Sequence, residues 1–240
     1  MHHLSLKQAA ARSQAGVTRL DVLFSLASLL WLGCVVLPVL AAVKPDAHQM
    51  ECINHLKQLG TAFNAWATEH GNRMPWRVSA KDGGTHDIPG NGNAWVHLAW
   101  LSNHLDSPKL LACPADSIKP ASTWSRDPEG GFLHQNHRGN AVSYFIGIDV
   151  HQESPRSFLS GDGNLEPSAR SQSCDQANVK SAASLAPDNE EVQWSKAVHQ
   201  EKGNVLQLDG TVLPTTGISL RLLLPDTGAV HEDNHVLLPR

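Results

Sequence analysis

A run of 22 residues without a single charge, residues 22–43, limits this chain more than anything else in its sequence. As a helix it would measure about 33 Å, enough to cross a hydrocarbon core of ~30 Å. A secretory signal has a shorter apolar core, about 7–15 residues, although Val39-Leu40-Ala41 also offers small-residue cleavage. Three readings therefore stand side by side: a permanent anchor, a signal cut near Ala41, and a segment cut before the apolar run. The flanks differ in charge. Lys7, Arg12 and Arg19 precede the run with one acid, Asp21, which leaves 16 of the 19 basic and 22 of the 23 acidic residues after it. This asymmetry predicts a single-pass protein of the inner membrane, N-terminus cytoplasmic and the remainder exported. Without a basic excess or a basic-aromatic cluster, the exported part is not expected to bind nucleic acid.

The third reading explains Asp21. An acid costs ~2.5–3.5 kcal/mol at a membrane helix centre and less near its end, so it persists best with a partner. A cut after Gly16 would create an amino terminus at Val17, about one helical turn from Asp21. At these residues the sequence resembles the N-terminus of type IV prepilins and type II secretion pseudopilins. That family has a basic leader ending in glycine, a hydrophobic first residue, an acid at the fifth, then an apolar helix. The resemblance implies that a prepilin peptidase cuts at Gly16 and methylates Val17. It implies that Asp21 neutralises a neighbouring subunit's amino terminus during assembly, and that Pro38 kinks the helix. Two positions depart from the pattern: Asp21 is one methylene shorter than the usual glutamate, and Arg19 replaces an apolar residue.

Beyond the run, Met50, Ile53, Leu56, Leu59, Phe63 and Trp66 recur at spacings of 3 and 4, one face of an amphipathic helix. Gly71-Asn72 ends it and Pro75 follows. Lys44-Pro45 predicts a kink or short break between the two halves. "CINHLKQLG" from Cys52 is similar to a block that follows the span in one prepilin-like group. Residues 82–93 read as a loop, 94–105 as a short helix, and 141–150 and 156–162 as core strands. Residues 166–191 are polar and predict a long exposed loop. In "HQEKGNVLQLDGTVLP", Asp209-Gly210 between apolar flanks predicts a hairpin with a type I′ turn. His199, Asp209 and Gly210 resemble the His-x9-Asp-Gly (H-X9-DG) element of the same group. So do the Cys-Pro-x-Asp turn at residues 113–116 and the aromatic strand at Ser143-Tyr144. The fold expected is α+β and pilin-like: a long N-terminal helix, half transmembrane and half exported, packed on a small antiparallel sheet. Its segments are a leader (1–16), an assembly helix (17–43), an amphipathic helix (44–72), a globular domain (73–216) and a C-terminal tail (217–240).

Four cysteines occur. Cys34 lies in the apolar run, and Cys52, Cys113 and Cys174 admit three pairings that spacing does not decide. Cys52–Cys113 is the expected one. His134/His137 and His231/His235 have chelating spacings without a third ligand or a glutamate base, and no metal site is assigned to them. "GDGN" at residues 161–164 leaves calcium as the one cofactor in question, without a full acidic loop. His199 and Asp209 are expected to clasp across the hairpin. No nucleophile block accompanies them, so no catalysis is expected. The function implied is a prepilin-like structural subunit, membrane-anchored and assembled into a pilus or pseudopilus. Its expected partners are the prepilin peptidase, like subunits and the assembly platform in the membrane. The alternative is an anchored or secreted carbohydrate- or metal-binding domain.

Overall fold

The computed structural model describes residues 18–150, 154–166, 169–174, 179–185, 192–224 and 234–239; over 35–46, 169–174 and 179–181 it describes the backbone alone. Two compact units divide between Lys44 and Pro45. Helix α1 (Arg19–Glu69) contributes to both, and its helical assignment runs through Pro38 and Pro45. Of the kink or short break expected at Lys44-Pro45, a break in the helical assignment is absent. The kink expected at Pro38 concerns a side chain outside the described residues, as do Gly16, Val17 and the whole leader.

In the first unit, α1 opens on a reciprocal capping box. The backbone N–H and hydroxyl of Thr18 donate to Asp21 Oδ2 (2.9 and 2.8 Å), and Asp21 N–H donates to Thr18 Oγ1 (3.3 Å). The next three turns are exposed and apolar except for Ser25 and Ser28, which continue the face of Thr18 and Asp21; Phe24 is 73% and Leu30 72% exposed. Among the described residues, no helix is long and apolar enough to cross a membrane. Residues 22–34, the part of the run whose side chains are described, number 13, about 20 Å of helix against the ~30 Å required. The transmembrane half of the expected helix, and the single-pass inner-membrane location drawn from it, are corrected accordingly.

The second unit holds the core. From α1, Cys52, Leu56, Leu59, Phe63 and Trp66 are buried, while Met50 stays exposed. The elements that follow are short: α2 (Ala94–Ala99) and 3₁₀ turns at Pro75–Arg77, Ala80–Asp82, Pro108–Leu111 and Arg138–Ala141. The strands are β1 (Tyr144–Gly147), β2 (Phe158–Asp162), β3 (Leu165–Glu166), β4 (Ala169–Cys174), β5 (Val179–Leu185), β6 (Gln193–Trp194), β7 (Lys202–Gln207), β8 (Val212–Thr216) and β9 (Asn234–Leu237), with α3 (Gly217–Leu223) between the last two. Seven of them form one antiparallel sheet in the order β4-β5-β9-β1-β2-β7-β8; β3 and β6 pair separately. The sheet is thus not the small one expected. Alternation along β1 and β2 places Tyr144, Ile146 and Leu159 with the α1 side chains in the larger core, and Phe145 and Phe158 with Trp194 and Leu220 in the second. The helix lies close on the sheet at Gly60, where an added Cβ would come within 3.0 Å of the Leu206 side chain.

Two regions differ from expectation. The supposed loop at 166–191 carries β4 and β5, and the late strand expected in the tail, β9, is not peripheral but central, between β5 and β1. Pairing with buried neighbours, not local pattern, makes these residues strands.

Candidate functional site

The body of α1 and the ends of β1, β2 and β7 meet at a buried polar cluster. Cys52 on α1 is bonded to Cys113, with Cα atoms 5.2 Å apart. Cys113 begins the Cys-Pro-x-Asp turn, closed by Asp116 N–H donating to the Cys113 carbonyl (2.9 Å). Ser143 ties that turn to the sheet: its hydroxyl accepts from Cys113 N–H and donates to Asp116 Oδ2, each at 2.9 Å. His199 completes the group. Its Nε2 lies 3.3 Å from Cys113 Sγ and 3.6 Å from Asp162 Oδ2.

The backbone pays for this placement. His199, Gln200 and Glu201 have φ of 54°, 54° and 63°, three successive non-glycine residues in the left-handed region, at roughly 1–2 kcal/mol each. Asn164 holds the turn. Its Nδ2 is shared among the carbonyls of Ser195, Val198 and Lys202 at 3.0–3.1 Å. Asp162, at the end of β2, accepts from Asn204 N–H (2.7 Å) and Asn204 Nδ2 (2.8 Å). Burial pushes the Asp162 carboxyl up to about 7, against those two bonds, with Asp116 adding to the rise. Burial lowers His199, and His48 lowers it further. Three buried oxygens, Asp162 Oδ1, Asn164 Oδ1 and Asn204 Oδ1, have no hydrogen-bond partner among the described residues.

Other residues singled out in the sequence lie elsewhere. His199 and Asp209 do not clasp. They stand before and after β7, and Asp209 is exposed with its Oδ1 accepting from Thr211 N–H (2.8 Å). The hairpin turn is not type I′ either. Only Gly210 has positive φ (86°), and Gly210 N–H donates to the Gln207 carbonyl, a three-residue loop closed by a left-handed glycine. His134 Nδ1 accepts from Asn136 N–H at 3.2 Å and His137 Nε2 lies 3.3 Å from the Pro128 carbonyl, so both serve their loop. His235 contacts Asp149, with Nδ1 2.8 Å from Oδ2; His231 lies outside the described residues. In "GDGN", Asp162 and Asn164 are turned to the internal bonds above rather than to an open loop.

Sequence reading missed the Asp162–Asn164–Asn204 set. Its only local signal is polar residues at strand ends, which the eye assigns to turns. It also missed the Thr18-x-x-Asp21 capping pattern, which was legible. Asp21 titrates below the usual carboxylate range because the Thr18 N–H, then its hydroxyl, bond the charged form.

The metal-ligating atoms of Cys52, Cys113 and His199 lie within 4.8 Å of one another, the one such group among the described residues. In this structure both sulfurs are spent on each other. No family model, curated protein or solved structure matches the chain.

Proposed function

We propose that this chain is a prepilin-like structural subunit that assembles with its own kind through the apolar start of α1. It catalyses no reaction. The observation that carries the reading is the exposed stretch from Leu20 to Leu32, apolar on every face but the one that carries Asp21, Ser25 and Ser28. Such a helix is stable in water only when something covers it, and identical helices side by side would do so. Asp21, charged and at the mouth of the helix, suits the pairing role that the resemblance gives it; bonded to Thr18 it also starts the helix. A prepilin peptidase would act between Gly16 and Val17. Of the tryptophans behind a sugar-binding alternative, Trp76 is buried, Trp95 carries the Arg138 guanidinium over its ring (4.8 Å) and Trp124 Nε1 donates to the Leu105 carbonyl (3.1 Å); Trp100 alone of the four is exposed.

Intact mass and terminal sequencing of the mature chain test the processing. A start at Val17 carrying one methyl group is expected; a start near Ala42 would remove the assembly helix and the proposal with it. Chemical cross-linking then tests assembly. Oligomers of the wild-type chain should be lost in Asp21→Ala and kept in Asp21→Glu.

A further inference from the structure

We propose that reduction of the Cys52–Cys113 disulfide converts Cys52, Cys113 and His199 into a binding site for a thiophilic divalent cation, with Zn²⁺ as the natural occupant. Such a site does not depend on filament assembly.

Three ligand atoms of the right kind already share one small volume, all within 4.8 Å of one another. Around a tetrahedral Zn²⁺, with Zn–S of ~2.3 Å and Zn–N of ~2.0–2.1 Å, neighbouring ligand atoms stand about 3.5–3.8 Å apart. The 3.3 Å from Cys113 Sγ to His199 Nε2 is a few tenths of an ångström short of that. Side-chain rotation separates the two sulfurs, because their Cα atoms are 5.2 Å apart. Two sulfurs and one imidazole select a soft or borderline cation over Mg²⁺ or Ca²⁺.

Two further observations point the same way. His199 occupies its position only by virtue of a left-handed turn of three non-glycine residues. Strain of this kind persists where surrounding structure imposes it, and it clusters at functional sites. A buried carboxylate, Asp162, lies 3.6 Å from the same imidazole nitrogen with Oδ1 unpartnered among the described residues. Cations satisfy buried anionic oxygen; disulfides do not.

The chemistry balances. A phosphine reductant breaks the S–S bond and gives up two electrons. Its phosphorus takes an oxygen from water, whose two hydrogens end on the two sulfurs. Zn²⁺ then displaces both protons to solvent and binds two thiolates and the neutral Nε2. The oxidised chain, its sulfurs joined, offers the imidazole alone. The site is therefore a redox-gated one, filled in a reducing compartment and emptied by disulfide formation.

The test uses the full chain, unfolded with a phosphine and refolded with Co²⁺ as a spectroscopic substitute for Zn²⁺. Expected are one Co²⁺ per chain, a near-ultraviolet thiolate-to-cobalt band and visible bands of a tetrahedral ion, all bleached by excess Zn²⁺. His199→Ala should weaken Co²⁺ binding by about 100-fold, the upper end of what losing even an outer-shell partner costs. Cys52→Ser should abolish the thiolate band, and the oxidised chain should show none. A reduced chain that is folded by circular dichroism yet shows no thiolate band overturns the proposal, as does unchanged affinity in His199→Ala. If the reduced chain folds only with metal, Co²⁺-dependent recovery of the circular dichroism signal in wild type but not in Cys52→Ser supports the site. Absence of recovery overturns it.

Discussion

His97 is wholly buried and bonded on both nitrogens: Nε2 lies 2.7 Å from the Asn91 carbonyl and Nδ1 lies 2.7 Å from Thr85 Oγ1. A carbonyl only accepts, so Nε2 carries the proton and Nδ1 accepts from the Thr85 hydroxyl. The ring is thereby fixed neutral, and burial lowers its pKa from 6.5 to about 4 against the favourable Asn91 contact. Between those values the unfolded chain binds a proton that the folded chain refuses. The stability His97 contributes is thus complete above pH 6.5 and lost as pH falls toward 4. The stability difference between wild type and His97→Gln should shrink by about 3 kcal/mol from pH 7 to pH 4, measured by urea unfolding at each pH. The comparison must be made between the two chains. Asp162, its pKa raised to about 7, acts in the opposite sense over the same window and masks the slope in wild type alone. Thr85→Val at pH 7 leaves Nδ1 buried without a donor and should cost about 1–3 kcal/mol.

Among the elements, α1 and the turn at Cys113 are joined across a sequence separation of 61. Closing a loop of that length removes enough unfolded-chain entropy to stabilise by about 4 kcal/mol. Cys113→Ser should lower unfolding free energy by about that much, the same experiment in a reductant showing little difference between the two chains. On β7, a Cβ at Gly203 would lie 2.5 Å from the Trp194 ring, and the indole cannot swing away cheaply because its Nε1 donates to Thr215 Oγ1 (3.0 Å). Gly203→Ala should therefore destabilise by about 1–3 kcal/mol and shift tryptophan emission to the red. These elements also mark what was legible beforehand. The buried face from Leu56 to Trp66 announced itself through its period, and β1, β2 and the β7–β8 hairpin through aromatic and apolar runs between turns. The strands β4 and β5 did not, because "ARSQSC" and "VKSAASL" are built of small and polar residues with no apolar alternation. A late strand in the tail was legible, but not that β9 would lie between β5 and β1, a pairing that no local pattern encodes. The His199 cluster was legible only as separate blocks, since its bonds join residues tens of positions apart and no local periodicity encodes them.

At the scale of the whole chain, the division between Lys44 and Pro45 separates two kinds of surface. Both hydrophobic clusters are built from residues at or beyond Cys52, so the second unit has what it needs to fold alone. The first unit has the opposite character: from Leu20 to Leu32 its large apolar side chains are exposed, and its polar ones, Asp21, Ser25 and Ser28, are bonded within the helix itself. Folding and association are therefore expected to come apart. A chain beginning at Pro45 should unfold within about 1 kcal/mol of the full chain, retain the Cys52–Cys113 bond, and sediment as a monomer. The full chain should self-associate, and charges placed on the exposed stretch, as in Leu29→Lys with Phe24→Asp, should reduce association without moving the unfolding midpoint of the second unit. Analytical ultracentrifugation and thermal unfolding of the same three chains separate the two effects. An unfolding midpoint that drops with truncation would mean the first unit belongs to the core after all. Self-association that survives truncation would move the assembly surface onto the sheet-bearing unit and off α1.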